Sequence, residues 1–209
     1  MRVMIAVPCM ETVQTAFLAS MLALKKPDGT EVALASCSLV YEARHTLAMK
    51  ALNEGFDRVL WLDSDMNYAP DLLDRLNARL DEGNDFVCGL YFTRKQPVQP
   101  CVYKICRPVK NKRGEAIPTT LSFEEIPEGL FEAEACGFGA VMMTTDVIRL
   151  AGPLPFFPSE GFGEDLAFCR RARAAGIRIM CDPSVRADHV GTALINYDTW
   201  MQKKAGRDG

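Results

Sequence analysis

The chain reads as an α/β protein, one domain built on a Rossmann-like, mostly parallel central sheet that is doubly wound with helices on both sides. Three observations lead there. Short, continuously apolar runs such as "RVMIAV" (2–7) and "RVLWL" (58–62) have the composition of strands buried on both faces. Between them lie stretches whose apolar residues recur at helical spacing, and the two kinds of segment alternate through residues 1–90. At 209 residues, 48% hydrophobic and 24% charged, the chain can bury one large core but is cramped for two.

"RVMIAV" is the first strand. Thr12 to Lys25 then sets Val13, Phe17, Met21 and Leu24 on one face of a helix, and the turn "KPDGT" leads into a second strand, "EVALAS". From Glu42 to Asn53, Ala43, Leu47, Ala48, Ala51 and Leu52 form a helical stripe, with Gly55 where a helix closes. After the third strand, "RVLWL", Pro70 suits the first turn of a helix that turns Leu72, Leu73, Leu76 and Leu80 inward and stops at Gly83. "DFVCGLY" is the fourth strand. "FTRKQPVQPCVYKICRPVKNKRGEAIPTT" predicts a β-rich excursion with a hairpin, followed by the loop "FEEIPEGL". The glycines of "ACGFGAVMM" mark a close approach of the backbone, whether to a ligand or to a packed neighbour. A helix over about 163–175 and a strand at 177–181 follow, and "YDTWMQKKAGRDG" predicts a short helix around Trp200 that then frays.

Composition narrows the function. A net charge of -3 argues against wholesale binding of a phosphate backbone, although Arg107, Lys110, Lys112 and Arg113, and Arg170, Arg171 and Arg173, are local basic clusters; such runs are ordinarily solvated faces. "MRVMIAVPCM" is interrupted by Pro8 too early for a signal peptide and no run reaches membrane-spanning length, so the expected location is the cytoplasm, with no membrane partner. The eight cysteines form no C-x-x-C pair and several sit in apolar runs, which reads as buried free thiols rather than a disulfide frame or a zinc site.

Ligands of doubly wound sheets bind beyond the carboxyl ends of the strands. Pro8 to Met10, Val40 to Arg44, and "DSD" (63–65) all fall there, on one crevice. If the chain is locally extended at "DSD", Asp63 and Asp65 project to the same side, and a hard divalent cation, Mg2+ or Mn2+, relieves their repulsion and takes the rest of its shell from water and substrate phosphates. The competing reading makes both aspartates turn and capping residues of the following helix.

"YEARHTLAMKALNEGFDRVLWLDSDMNYAPDLLDRL", "CGFGAVMMTTDVIRLAG" and "GFGEDLAFCRRARAAGIRIMCDPSVRADHVG", in that order, resemble a compact glycosyltransferase of the GT-A (nucleotide-diphospho-sugar transferase) fold, close to family 2 and to its phage and bacterial members. The resemblance spans most of residues 1–191. It implies a nucleotide-binding half (1–90), an acceptor-side half (91–195) and a C-terminal tail (196–209). Asp63 and Asp65 match the family's D-x-D motif, which with Ser64 faces the donor; the last Asp binds the metal on the diphosphate and the first serves the ribose or the metal shell. Val7 and Pro8 match the segment along the nucleotide, and Arg44 an arginine near it. Asp165 matches the catalytic base and Glu164 its acidic neighbour. His189 matches a late histidine that adds a metal ligand. "PCMET" departs from the asparagine-bearing segment usual after the first strand.

Two of these positions can be read without the family. On a helix over 163–175, Asp165 shares a stripe with Phe168, Cys169, Ala172 and Ala175, so it faces inward, where an unpaired carboxylate is costly. The competing reading is a first-turn Asp bound to helix N–H groups, which would lower its pKa. His189, beyond the strand at 177–181, could swing back to a metal as neutral imidazole with Asp188 orienting it, but a lone histidine is ordinarily not a ligand and the resemblance is what favours that role; His45 reads as a surface or satisfied histidine.

The expectation is therefore a hexosyltransferase that uses Mn2+ or Mg2+ and a nucleotide-diphosphate sugar donor, UDP-sugar foremost. It would transfer with inversion to an acceptor hydroxyl on a glycan, a protein or a modified DNA base. A separate acceptor domain or membrane helix is not expected after residue 209, and with it processive polysaccharide synthesis is not expected. Two other classes stay open. A sugar-nucleotidyltransferase would carry a glycine-rich basic loop where this chain has "AVPCMETVQ", and a non-catalytic nucleotide- or glycan-binding relative would bind without transfer.

Overall fold

The computed structural model describes residues 1–191 and 196–205. The first apolar runs become β1 (Val3–Cys9), β2 (Thr30–Ser36) and β3 (Arg58–Leu62), separated by α1 (Thr15–Ala23) and α2 (Val40–Asn53). Next come β4 (Met66–Tyr68), α3 (Leu72–Asp81) and β5 (Phe86–Leu90). The excursion holds β6 (Val102–Lys110), β7 (Ala116–Ser122), β8 (Phe131–Ala133) and β9 (Ala135–Cys136). β10 (Ala140–Thr144), α4 (Thr145–Leu150), α5 (Glu164–Ala174), β11 (Ile179–His189) and α6 (Tyr197–Ala205) complete it. The fraying expected of the tail falls on 206–209, outside the described residues.

Strand alternation sorts the apolar side chains into two layers. Val3, Ile5 and Val7 of β1 and Leu60 and Leu62 of β3 face a core closed by α1 and α3, while Met4, Ala6, Val59 and Trp61 face one closed by α2, α4 and α5. A strand buried on both faces must be apolar at every position, which is why these segments read as continuous runs. Gly55 and Gly83 follow their helices with φ of 69° and 92°, as helix-closing glycines do. The first helix is shorter than the pattern predicts, and Lys26 Nζ donates to the carbonyls of Met21 and Leu24 at its end, both at 2.8 Å.

The large sheet runs β2-β1-β3-β10-β5-β11-β4, with β8 also on β11. β1 is parallel to β2 and β3, and β5 to β11, but β10 lies antiparallel between β3 and β5. It starts opposite Leu62, at the carboxyl end of β3, because the chain returns from the excursion at that end. The return brings Gly139 beside Asp63, whose N–H donates to the Gly139 carbonyl at 3.4 Å. The excursion is the expected hairpin: β7-β6-β9 form a separate small sheet, and the Asn111 side-chain oxygen accepts from the N–H groups of Arg113 and Glu115 in its turn.

The last strand corrects the expectation of a short strand at 177–181. β11 continues to His189, shifting register between Asp182 and Arg186 around Pro183, which has no N–H to donate. Its final residues pair with β4, His189 opposite Met66. The strand itself, rather than a returning loop, delivers the histidine. The eight cysteines are free thiols, and Cys88, Cys106, Cys136, Cys169 and Cys181 are buried. Among the described residues no helix is long and apolar enough to cross a membrane.

Gly89 tests the fit of β5 against β11. A Cβ there would lie 2.9 Å from the Val185 carbonyl oxygen, a backbone atom that cannot turn aside. Gly89→Ala is expected to cost about 1–3 kcal/mol and lower the thermal midpoint by several degrees, measured by calorimetry.

Candidate functional site

The carboxyl ends of β1 and β3 and the start of α2 meet at a cleft of about 480 Å³. Pro8, Arg44, Asp63, Ser64, Asp65 and Glu164 line it, whereas Asp165 and His189 are not among its lining residues. Nor does Val7 line it: its side chain is fully buried in the core. Thr12, Gln14 and Ser38 add neutral polar groups that carry no signal in sequence, and Arg94, from the segment after β5, supplies a cation.

Arg44 is the most buried charge of the site, 2% exposed. Its Nη2 donates to Asp63 Oδ1 at 2.7 Å, Nε lies 3.6 Å from Glu164 Oε1, and the guanidinium sits over the Phe138 ring. Burial pushes its pKa down, but Asp63, Glu164 and Asp165 outweigh that and hold it above the ordinary value. Nε and Nη1 make no hydrogen bond within the protein. Buried donors of that kind are rare without a partner.

The "DSD" segment is not extended. Ser64 and Asp65 form a turn, and Tyr68 Oη lies 2.7 Å from the Asp63 carbonyl and 2.9 Å from that of Gly139, tying the turn to β10. The two carboxylates therefore take different partners rather than one shared point. Asp63 goes to Arg44; Asp65 Oδ2 lies 3.0 Å from Arg94 Nη2 and 3.4 Å from His189 Nε2. Burial pushes the Asp65 carboxyl up, but His189 and Arg94 more than offset it, and the net shift is downward.

His189 Nδ1 lies 2.9 Å from the Phe92 carbonyl oxygen. A carbonyl only accepts, so Nδ1 carries a proton and donates it to Phe92, which fixes the ring with Nε2 toward Asp65. Phe92, not Asp188, orients the ring; Asp188 accepts from Asn67 instead. An imidazole nitrogen and a carboxylate oxygen 3.4 Å apart suit a divalent cation such as Mn2+ that takes its remaining ligands from water and phosphate. Among the described residues no group of three or more His, Cys, Asp and Glu forms a complete protein shell. His45 packs edge-on against Phe157, away from the cleft.

Asp165 sits in the first turn of α5, half-buried, behind Glu164. Its Oδ1 accepts from the Leu166 N–H at 2.7 Å, and a Cβ placed on Gly137 would lie 3.6 Å from Oδ2. Burial raises its pKa and Glu164 adds to the rise; Arg44 and the Leu166 N–H oppose it, and the carboxyl ends at about 6. The lowering expected from helix capping is thus outweighed. The glycines of "CGFG" admit Tyr91: Cβ atoms on Gly137 and Gly139 would fall 2.0 Å from its hydroxyl and 2.8 Å from its Cζ, and the Gly139 N–H donates to that hydroxyl. Packing requires them, and packing sets them beside Asp165.

Compared by sequence, the chain matches no protein-family model and no curated protein. Compared by structure, it is similar to A197 from STIV, with a TM-score of 0.66 at 20% identity over 94% of both chains. It is also similar to GalNAc-T7 in its crystal structure with UDP, GalNAc and Mn2+, with a TM-score of 0.62 at 10% identity, over 91% of this chain and 44% of that one. At these identities the likeness is one of fold: a mixed α/β domain of the GT-A type, its mostly parallel sheet flanked by helices.

The Asp165 environment has a signature in stability. Below its ordinary value of 3.8 the carboxyl is protonated folded and unfolded; between 3.8 and about 6 only the unfolded chain ionises, so stability falls as pH rises and stays reduced above 6. The penalty is at most about 3 kcal/mol, less for the part of the side chain open to water. Asp165→Asn is expected to raise the thermal midpoint by several degrees at pH 8 and to lose that advantage by pH 4, measured by thermal unfolding across pH.

Proposed function

We propose that the chain is a metal-dependent glycosyltransferase that moves a hexose from a nucleotide-diphosphate sugar, UDP-sugar foremost, to an acceptor hydroxyl with inversion. The observation that carries the reading is a cleft at the carboxyl ends of one sheet that gathers a buried arginine, Asp63, Asp65 and Glu164, with His189 3.4 Å from Asp65 and Asp165, of raised pKa, next to Glu164 in the first turn of α5. The GT-A fold supports it, and so does the bound UDP, GalNAc and Mn2+ of GalNAc-T7.

Asp65 and His189 would hold the cation, Mn2+ or Mg2+. Bound there, it would supply Lewis-acid neutralisation of the charge on the leaving diphosphate. Asp63 keeps Arg44 in place, and the guanidinium would offset the negative charge of the donor bound in the cleft it lines. Ser64 and Pro8 border the nucleotide. Asp165, with Glu164 keeping its pKa up, takes the proton from the acceptor hydroxyl as that oxygen attacks the anomeric carbon from the face opposite the leaving group. A carboxyl near 6 accepts a proton better than an ordinary aspartate and is still ionised at neutral pH. The 1–90 half would hold the nucleotide and the 91–195 half the acceptor.

Two experiments test this. In a thermal-shift panel of UDP, GDP, ADP, CDP and dTDP with and without Mn2+, one nucleotide should stabilise only with metal, by about 2.7 kcal/mol at a hundredfold excess over Kd, and Asp65→Ala should abolish the shift. Silence from every nucleotide would reject the reading. With a donor identified, Asp165→Asn should slow turnover about 10²–10⁴-fold, the wild-type rate should rise with pH through about 6, and product NMR should show an inverted anomeric centre. Retention, or undiminished turnover in Asp165→Asn, would remove Asp165 from the role of base.

A further inference from the structure

A second cavity, of about 630 Å³, lies across the 93–100 segment from the cleft: Arg94 lines the one and Thr93 the other. Its remaining walls come from the β6-β7 hairpin and α6. Tyr103, Phe123 and Trp200 line it, and two of these rings are braced from behind, Phe123 edge-on to Phe131 at 5.0 Å and Trp200 stacked on Phe92 at 5.3 Å. Among the described residues its polar lining is almost all neutral: the hydroxyls of Thr93, Thr120 and Ser122 and the amide of Gln99, with Glu124 the one charged side chain.

Rigid aromatic walls interleaved with neutral hydroxyl and amide groups match a ligand with apolar C–H faces and a rim of hydroxyls. A pyranose ring is such a ligand. Polyanions are a poorer match: among the described residues Glu124 is the one charged side chain lining the cavity, and the nearby Lys104 ammonium lies against that carboxylate at 3.9 Å. Among the described residues the basic side chains of the neighbouring strands and helix are paired, Lys104 with Glu124, Arg107 and Arg173 with Glu134, and Arg170 with Glu160.

The cavity also connects to the chemistry. Tyr103 pairs across the small sheet with Ala135, two residues before Gly137, whose N–H donates to the Cys101 carbonyl and whose Cα faces Asp165. One strand separates the aromatic wall from that carboxyl. We infer that this cavity binds a neutral oligosaccharide, and that the acceptor is a neutral glycan whose sugars beyond the reacting one lie along Tyr103, Phe123 and Trp200. Binding stands by itself; the acceptor role rests on the glycosyltransferase reading above.

Saturation-transfer NMR and tryptophan-fluorescence titrations with maltotetraose, cellotetraose, mannotetraose and chitotetraose test it on the full chain. At least one should bind at about millimolar Kd or tighter. Phe123→Ala should weaken it about tenfold. Thr120→Trp, at an exposed strand position and aimed at filling the cavity, should abolish it, and UDP with Mn2+ should bind both variants as it binds wild type. The inference fails if no tetrasaccharide binds, if both variants bind as wild type does, or if a single-stranded oligonucleotide or an extended peptide is the ligand that Thr120→Trp displaces. Loss of UDP binding in wild type would sink the transferase reading and leave the glycan site standing; the reverse result would leave a transferase with another class of acceptor.

Discussion

The Arg44 guanidinium is the constraint around which the rest is arranged. A full positive charge held 2% exposed is tolerable only with carboxylates brought to it, and those come from two places far apart in sequence, Asp63 after β3 and Glu164 at the start of α5. The cation therefore pins the end of a strand to the start of a helix 101 positions later in the numbering. It also rests on Phe138, which packs against Trp61, Phe86, Phe156 and Phe168, so the charged layer of the cleft and the aromatic core beneath it hold each other in place.

Around that pin, the acidic residues divide by environment. Asp63 is committed to Arg44. Asp65, one turn further, has a histidine and a more exposed arginine, and is held below the ordinary carboxylate range. Asp165, short of partners and crowded by Glu164, is pushed the other way. Nearby carboxylates driven apart in pKa can take opposite roles, one as a permanent anion and the other as a proton acceptor.

The 93–100 segment gives the molecule its two-sided character. One side presents Arg94 to a polar, charged cleft; the other presents Thr93, Gln99 and its prolines to an aromatic, nearly neutral cavity. The contrast follows from what each sheet contributes. The large sheet offers strand ends and helix starts, where polar backbone and charged caps collect. The small sheet offers the face of a hairpin.

Much of the fold was legible because it rests on periodicity, which is local. β3 falls at 58–62 as read, α2 and α3 start within about two residues of expectation, and the hairpin of the least regular stretch is where Asn111 and Gly114 suggest. The inward face of Asp165 was legible too, since a helix of known register fixes which side chains share a stripe. Other features depended on encounters between distant segments. No local pattern announces that β10 runs antiparallel between β3 and β5, that β11 continues through Pro183 to carry His189 to Asp65, or that the Phe92 carbonyl rather than Asp188 sets the ring. The glycines of "CGFG" declared a close approach but not its partner, Tyr91. Arg94 and the aromatic cavity had no signal at all. The sequence by itself determined which residues are apolar, which are acidic and at what spacing they recur, and so the elements and their faces. Only the tertiary structure decided which charges meet and which are deprived of water, because pairing and desolvation depend on through-space distance that sequence separation does not encode.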